Sequence, residues 1–187
     1  RGSRGVHRWV CAGGGAGGGR ERLGAAGVGT PKDFAVRIGV VGSMGADEAF
    51  MTTGDSARRV GEAQGWRPLV VGDQVRDFCV QSAEPTFFPY TDEHELRPLD
   101  CFPRIARRLW PLRTEMGNRA TFARLTYFEE GRPWYEWHQL PRDVEAHDWS
   151  ITFAFVATHN HFVLDRGGKV FNRSAPVIKL PEGATGA

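Results

Sequence analysis

The chain has 187 residues, a formal net charge of +2 and 41% hydrophobic residues. This length and apolar content suit one domain with its own core, and they exclude a wholly disordered chain. No window approaches the roughly 18 consecutive apolar residues of a membrane span, so no membrane association is predicted. Cys11, Cys79 and Cys101 lack CxxC spacing, which predicts free thiols in a reducing cytoplasm.

Residues 1–32 are rich in glycine and arginine, with GGGAGGGR at positions 13–20. Such a composition buries too little apolar surface to offset its chain entropy, so a disordered leader is predicted. A phosphate-binding loop is the alternative. It would need a following Gly-Lys-Ser/Thr step and a preceding apolar strand, and neither is present.

Short strands are predicted next. FAVRIGVV, residues 34–41, predicts a buried strand, and LVV at 69–71 predicts a second one. In PTFFPY, Pro85 and Pro89 favour an edge strand because proline cannot donate to a central ladder. The predicted fold class is therefore mixed α/β (α+β), with short strands, one main kinked helix and a C-terminal β-hairpin.

The main helix is predicted over residues 102–118. Asp100 is a candidate for its N-cap, with Pro103 in the first turn. Pro111 should kink the helix or divide it in two. Its apolar stripe has a helical spacing and consists of Ile105, Leu109, Leu112 and Met116.

Arginines border this stripe without balancing acids. Between residues 101 and 125 there are six arginines and one carboxylate, Glu115. Arg104, Arg107 and Arg108 lie on one flank and Arg113 on the other. This local excess is typical of a phosphate-binding surface, and the alternative is an ordinary solvated helix face.

An aromatic cluster follows at Trp134, Tyr135 and Trp137. Aromatic side chains stack on single-stranded bases in some proteins, but more often they are core residues because each buries a large area. The core interpretation is favoured.

Residues 151–180 predict two strands joined by a hairpin turn at Asp165-Arg166-Gly167-Gly168. The first strand should place Ile151, Phe153 and Phe155 on its core-side face, with a bulge or turn near Asn160. A turn tip that carries Arg166 and Lys169 also suits a DNA groove.

The triplet His159-Asn160-His161 matches the letters of an HNH-type nuclease. Such a site needs a further helix that supplies another metal ligand, and the residues after 173 are too short and proline-rich for one. Structural hydrogen bonding or contact with a partner is favoured, and no metal site is predicted. The chain also lacks HExxH, GxSxG, Asn/Asp-Pro-Pro-Tyr/Phe and a Gly-rich S-adenosylmethionine loop, so no catalytic residue is predicted.

Several segments in this order resemble bacterial adenine-specific DNA methyltransferases. They are RIGVVGSMGADEAF, WRPLVVGDQVRDF with PTFFPY, PRIARRLWPLRTEMGNRATF, RPWYEW and the strand pair at 151–180. The similar proteins are the PglX methyltransferases of BREX phage exclusion and the fused type IIG restriction–modification enzymes. The similar part is the segment after their catalytic domain, which leads into the target-recognition domain.

The resemblance implies three regions: the leader 1–32, a connector at 33–148 with the Arg-rich helix, and the start of a target-recognition domain at 149–187. It implies that the chain is an interior piece of a larger protein, whose catalytic domain would precede residue 34. That parent would transfer a methyl group from S-adenosylmethionine to adenine N6.

The function predicted for this chain is binding of double-stranded DNA. Candidate contacts are Arg104, Arg107, Arg108, Arg113, His159, Asn160, Arg166, Lys169 and Arg173. The helix arginines would contact phosphates, and the residues of the strand pair would contact a groove. The alternatives are a metal-dependent nuclease that uses His159 and His161, and a non-functional remnant.

Overall fold

The structure, a computed structural model, describes residues 35–76, 78–141 and 149–181. The predicted leader, the glycine run within it and Cys11 lie outside the described residues. The described residues form both helices and strands, so the predicted mixed α/β class is confirmed.

Between residues 35 and 87, the described residues form five short strands and two short helices. The strands are β1 Arg37–Gly39, β2 Trp66–Val70, β3 Val75–Arg76, β4 Cys79–Val80 and β5 Glu84–Phe87. The helices are α1 Asp47–Phe50 and α2 Gly54–Val60. Thr53 caps α2, since its hydroxyl accepts a 3.3 Å hydrogen bond from the Ser56 amide.

The predicted main helix is present and divided. It consists of α3 Pro103–Leu109, a 3₁₀ turn Trp110–Leu112 and α4 Arg113–Gly117. The break contains Pro111, which has no amide hydrogen and therefore interrupts the α-helical ladder, as predicted. Ile105, Leu109 and Met116 of the predicted stripe are buried.

The predicted cap of this helix is wrong. Asp100 lies in a separate 3₁₀ turn, Leu99–Cys101, and makes no cap. Glu62 satisfies the helix start instead, because its carboxylate accepts from the amides of Arg104 and Ile105 at 2.8 and 2.9 Å. A partner 42 residues away in sequence leaves no local capping signal to read.

The C-terminal part adds β6 Ser150–Phe153, β7 Phe162–Asp165, β8 Val170–Phe171 and β9 Val177–Lys179. One sheet has the order β1-β9-β6-β7, and a second has the order β5-β2-β8. The predicted edge strand at Pro85 is confirmed, since β5 lies at the edge of the second sheet. Strands from both sides of residue 149 share both sheets.

The predicted hairpin turn at residues 165–168 is wrong. β7 pairs antiparallel with β6, whereas β8 pairs parallel with β2 in the other sheet. The C-terminal hairpin is therefore formed by β6 and β7, and residues 154–161 connect them. The irregularity predicted near Asn160 is this connection, and residues 165–168 turn the chain from one sheet to the other.

Two predicted strand faces are also corrected. Thr152 and Ser150 face the core with 0% and 4% exposure, whereas Phe155 is 68% exposed. The Thr152 hydroxyl can point inward because it donates to the Pro176 carbonyl at 3.1 Å. Likewise β1 is an edge strand, and Ile38 at its centre is 46% exposed rather than buried.

Two hydrophobic clusters form the interior. The larger one lies between the helices and the second sheet, and its aromatic members include Phe50, Phe87, Phe102, Trp134 and Trp137. The core interpretation of the aromatic cluster is thereby confirmed for both tryptophans. The smaller one lies beneath the four-stranded sheet and contains Val41, Val70, Val75, Val163, Phe171, Ala175 and Val177.

Candidate nucleic-acid interface

The helix segment presents its arginines in two different situations. Arg104 and Arg108 lie one turn apart on α3 and contact the neighbouring elements. Arg108 is half-buried, with its guanidinium 6.0 Å from the centre of the Trp66 ring and 3.4 Å from the Met51 carbonyl. Burial lowers the pKa of Arg108 from its usual value. The Arg108 side chain therefore holds α3 against the neighbouring elements, and it is less accessible to a binding partner than an exposed arginine is.

Arg107 and Arg113 are exposed to solvent. Within the described residues, Arg107 makes no hydrogen bond or ion pair through its side chain. The guanidinium of Arg113 lies between two aromatic rings, 5.4 Å from the Trp110 centre and 5.0 Å from the Phe128 centre. This contact orders the guanidinium while its hydrogen-bond donors remain open to solvent.

The candidates near the strand pair separate into two groups at opposite ends of β7. His159 and Asn160 lie in the exposed connection at the Phe162 end. Arg173 lies near the same end, since the next residue, Ser174, accepts a 2.9 Å hydrogen bond from the Phe155 amide. These three side chains are therefore brought towards one end of the sheet.

Arg166 and Lys169 lie at the other end, beyond Asp165, about 10 Å away along the strand. Lys169 is ion-paired with Asp165, which is 3% exposed and also accepts from the Gly167 amide at 2.9 Å. Arg166 lies 4.9 Å over the Trp149 ring. The turn is thus held internally, and its lysine charge is already compensated.

The most heavily bonded arginine, Arg119, was not among the predicted site residues. Its guanidinium donates to the carbonyls of Met44, Met116, Trp134 and Glu136. It also lies 4.2 Å over the Tyr127 ring. Arg119 is a structural residue, and its place in an Arg-rich run carries no signal that separates it from Arg113.

Exposed aromatic residues beside the arginines were also missed. Trp110 is 62% exposed and Phe122 is 74% exposed. Trp110 lies outside the apolar stripe of the helix. A large aromatic residue at such a position is the signal that could have identified it as exposed. Phe122 lies 4.6 Å from the His138 ring. Burial and the Arg119 charge lower the pKa of His138.

His159 and His161 lie close together in the exposed connection between β6 and β7. Their rings are 6.4 Å apart, and the His159 ring contacts the Thr158 hydroxyl at 3.0 Å. Among residues 35–76, 78–141 and 149–181, no group of three potential metal ligands is found. Likewise, no helix within these ranges is long and apolar enough to span a membrane.

Comparison with known proteins relates the chain to an adenine-specific methyltransferase. The relative is PglX of Streptomyces coelicolor, which is 53% identical over 178 residues. The match covers 95% of this chain and 15% of the relative, so the chain spans only a small part of the relative's length. The resemblance to the PglX kind is confirmed. No family model matches the chain.

Proposed function

We propose that this chain is a DNA-binding segment of a PglX-type adenine-specific methyltransferase, with a role in target recognition. The observation that carries the proposal is the exposure of Arg107 on α3 and Arg113 on α4, neither of which forms an ion pair in the described residues, in a chain homologous to such an enzyme. DNA phosphates are the natural partners of guanidinium groups that have no carboxylate nearby.

The contrast with other arginines supports this interpretation. Arg58, Arg67, Arg76 and Arg132 each form an ion pair with a carboxylate. In the described residues, Arg104, Arg107, Arg108 and Arg113 form none. Other arginines without an ion pair are distributed along the chain, whereas these four lie on one divided helix; the others are Arg59, Arg97, Arg119, Arg124, Arg166 and Arg173. A cationic surface without internal compensation attracts a polyanion over a longer range than paired charges do.

Phosphate contacts position a protein on DNA, and side chains in the grooves read the sequence. For base reading we propose His159, Asn160 and Arg173 at one end of β7. Arg166 at the other end is left out, because its guanidinium lies over the Trp149 ring. Asparagine suits adenine and arginine suits guanine because each pair forms two matched hydrogen bonds.

In the parent protein we propose methyl transfer to adenine N6 from S-adenosylmethionine in the cytoplasm, in restriction–modification or phage defence. The donor would bind to an N-terminal methyltransferase domain, the partner of this segment. The target adenine would leave the duplex to reach that pocket, as bases do in other enzymes that modify them.

The direct test is binding of this chain to duplex DNA at several salt concentrations. We expect an affinity that falls steeply with salt, because each neutralised phosphate releases counterions. A dissociation constant weaker than about 0.1 mM at low salt would reject the proposal for this chain and favour the non-functional remnant, since ordinary non-specific binding is tighter.

Two substitutions locate the interface. In Arg107→Gln with Arg113→Gln we expect the slope of log affinity against log salt to become shallower by about 2, at about 0.9 for each lost phosphate contact. The matched control is Arg58→Gln, which removes an exposed arginine that is paired with Asp55. An equal effect of the control would point to net charge rather than to this surface.

The nuclease alternative has a separate readout. It predicts nicking that requires a divalent metal and is lost in His161→Ala. No contact within the described residues favours it, and DNA binding without nicking is the expected result.

A further inference from the structure

The four-stranded sheet has an apolar face on the side away from the core. Register and alternation place three cross-strand rows on this face. The central row is Ile38, Ile178, Ile151 and Leu164. Extending the register by one pair gives the row Val40, Pro176, Phe153 and Phe162. Extending it in the other direction gives the row Val36, Leu180, Trp149 and Arg166.

Much of this outer face is open to solvent. Val36 is 64% exposed, Ile38 46% and Leu164 48%. Phe162 is 43% exposed and contacts Phe153 with ring centres 5.7 Å apart. The only charged side chain in the three rows is Arg166, at one corner over Trp149.

The opposite face of the same sheet is already packed. Thr152, Val163 and Val177 on that side are 0%, 8% and 5% exposed over the smaller core. An antiparallel sheet that ends against water alternates apolar and polar residues. In β6 the polar residues Ser150 and Thr152 lie on the packed face and the apolar residues Ile151 and Phe153 lie on the open face, which is the reverse of that arrangement and the pattern of an outer face that is covered.

The size of the face limits its occupant. The three rows cross four strands about 4.8 Å apart and extend over five residues of each strand, so the face covers roughly 300 Å². A specific interface between separate molecules buries about 800 Å² on each partner. The face by itself therefore supplies less than half of the area that a specific contact with a separate molecule buries, and a separate molecule would also lose its translational and rotational freedom on binding.

A segment of the same polypeptide does not bear that cost, so a small apolar face is sufficient for it. The PglX relative has 85% of its length outside the matched region, since the match covers 15% of it. We infer that the outer face of the β1-β9-β6-β7 sheet is the surface on which the remainder of a PglX-type polypeptide packs, through an uncharged apolar element. This inference rests on membership in a PglX-type protein and not on DNA binding.

The test compares this chain alone with a chimera in which it replaces the 178 matched residues of the Streptomyces relative. Leu164→Cys reports on the sheet face. The matched control is Phe122→Cys, because Phe122 lies outside this sheet and is 74% exposed. Each thiol is labelled with a maleimide, and peptide mass spectrometry separates it from the native cysteines.

We expect labelling of Leu164→Cys to be at least tenfold slower in the chimera than in the isolated chain. Labelling of Phe122→Cys should remain equally fast in both. Equal rates for Leu164→Cys would overturn the inference. Slow labelling in the isolated chain, with a dimer in sedimentation velocity, would overturn it in favour of a second copy.

A second measurement does not depend on folding of the chimera. Hydroxyl-radical footprinting of the intact relative should show protection at the positions aligned with Leu164 and Phe162, relative to this chain alone. Full oxidation there would count against the inference. Because neither readout involves DNA, failure of the DNA-binding proposal would leave both results interpretable.

Discussion

At the scale of single residues, identical side chains have different roles because their surroundings differ. Arg119 donates to backbone carbonyls of four residues, whereas Arg107 makes no such contact in the described residues. Both lie in the same Arg-rich stretch of sequence. The difference arises because the Arg119 guanidinium lies beside the backbone carbonyls of neighbouring loops, whereas the Arg107 side chain is exposed to solvent.

Replacing Arg119 by lysine should therefore destabilise the fold. A lysine ammonium keeps the charge but cannot reach carbonyls on Met44 and Trp134 together, and unpaired buried carbonyls are costly. We expect a loss of about 2–4 kcal/mol in the free energy of unfolding, measured in urea. Arg124→Lys, at an exposed position, should change it by less than about 0.5 kcal/mol.

His138 should make stability depend on pH. Burial and the neighbouring Arg119 lower its folded-state pKa, so the unfolded chain binds its proton more readily. Stability from this group is present above the ordinary imidazole pKa of about 6.5 and is lost as the pH falls through the folded pKa.

Comparing thermal unfolding of the native chain with His138→Gln from pH 7 to pH 5 isolates this contribution from the carboxylates. We expect the native chain to lose more stability over that range than the variant. Parallel curves for the two proteins would contradict the assignment.

At the scale of elements, helix α3 begins where the carboxylate of a residue distant in sequence accepts hydrogen bonds from two amides of the first helical turn. Glu62 supplies one oxygen to Arg104 and the other to Ile105. The position of the arginine surface thus depends on a residue that lies in the connection before β2.

Glu62→Ala should destabilise the chain by about 1–2 kcal/mol, because two amides lose their acceptor and the helix start loses a favourable negative charge. Glu62→Gln should fall in between, since an amide side chain has a single oxygen. Urea unfolding measures both, with the exposed Glu93→Ala as control. A cost in the control similar to that of Glu62→Ala would argue against capping.

At the scale of the whole molecule, the C-terminal strands are joined to the N-terminal half at close backbone approaches. The Gly72 amide donates to the Ser174 hydroxyl at 2.9 Å. A Cβ atom on Gly72 would lie 2.4 Å from the Ser174 carbonyl oxygen, so the two segments cannot both keep their places.

Gly72→Ala should therefore cost about 1–3 kcal/mol of unfolding free energy, the usual range for overpacking. The loss should appear as one transition, because the four-stranded and the three-stranded sheets each contain strands from both halves of the chain. Gly39→Ala, where the nearest atom is 3.8 Å away, should be nearly neutral. Two separate transitions in either variant would mean that the halves unfold independently.

Local patterns were sufficient for the fold class, the divided helix and the buried tryptophans. The spacing of the apolar stripe predicts the helix. Pro111 breaks it because proline has no amide hydrogen, and this effect requires no tertiary contact. The strand at 150–153 shows the limit of this approach, since alternation gives two faces without saying which one is covered. Because Ser150 and Thr152 make one face polar, Ile151 and Phe153 on the other face were the natural choice for the core, yet the polar face is the buried one.

Residue patterns alone were enough for the relationship to an adenine-specific methyltransferase, the mixed class and the placement of arginines around one helix. Tertiary contacts were needed to show that residues 165–168 turn between two sheets, that Arg119 is enclosed and that Arg107 is exposed. They also establish which sheet face is exposed. The physical reason is that pairing of β8 with β2 and of β9 with β1 joins segments about 100 or more residues apart, and local residue patterns hold no record of such partners.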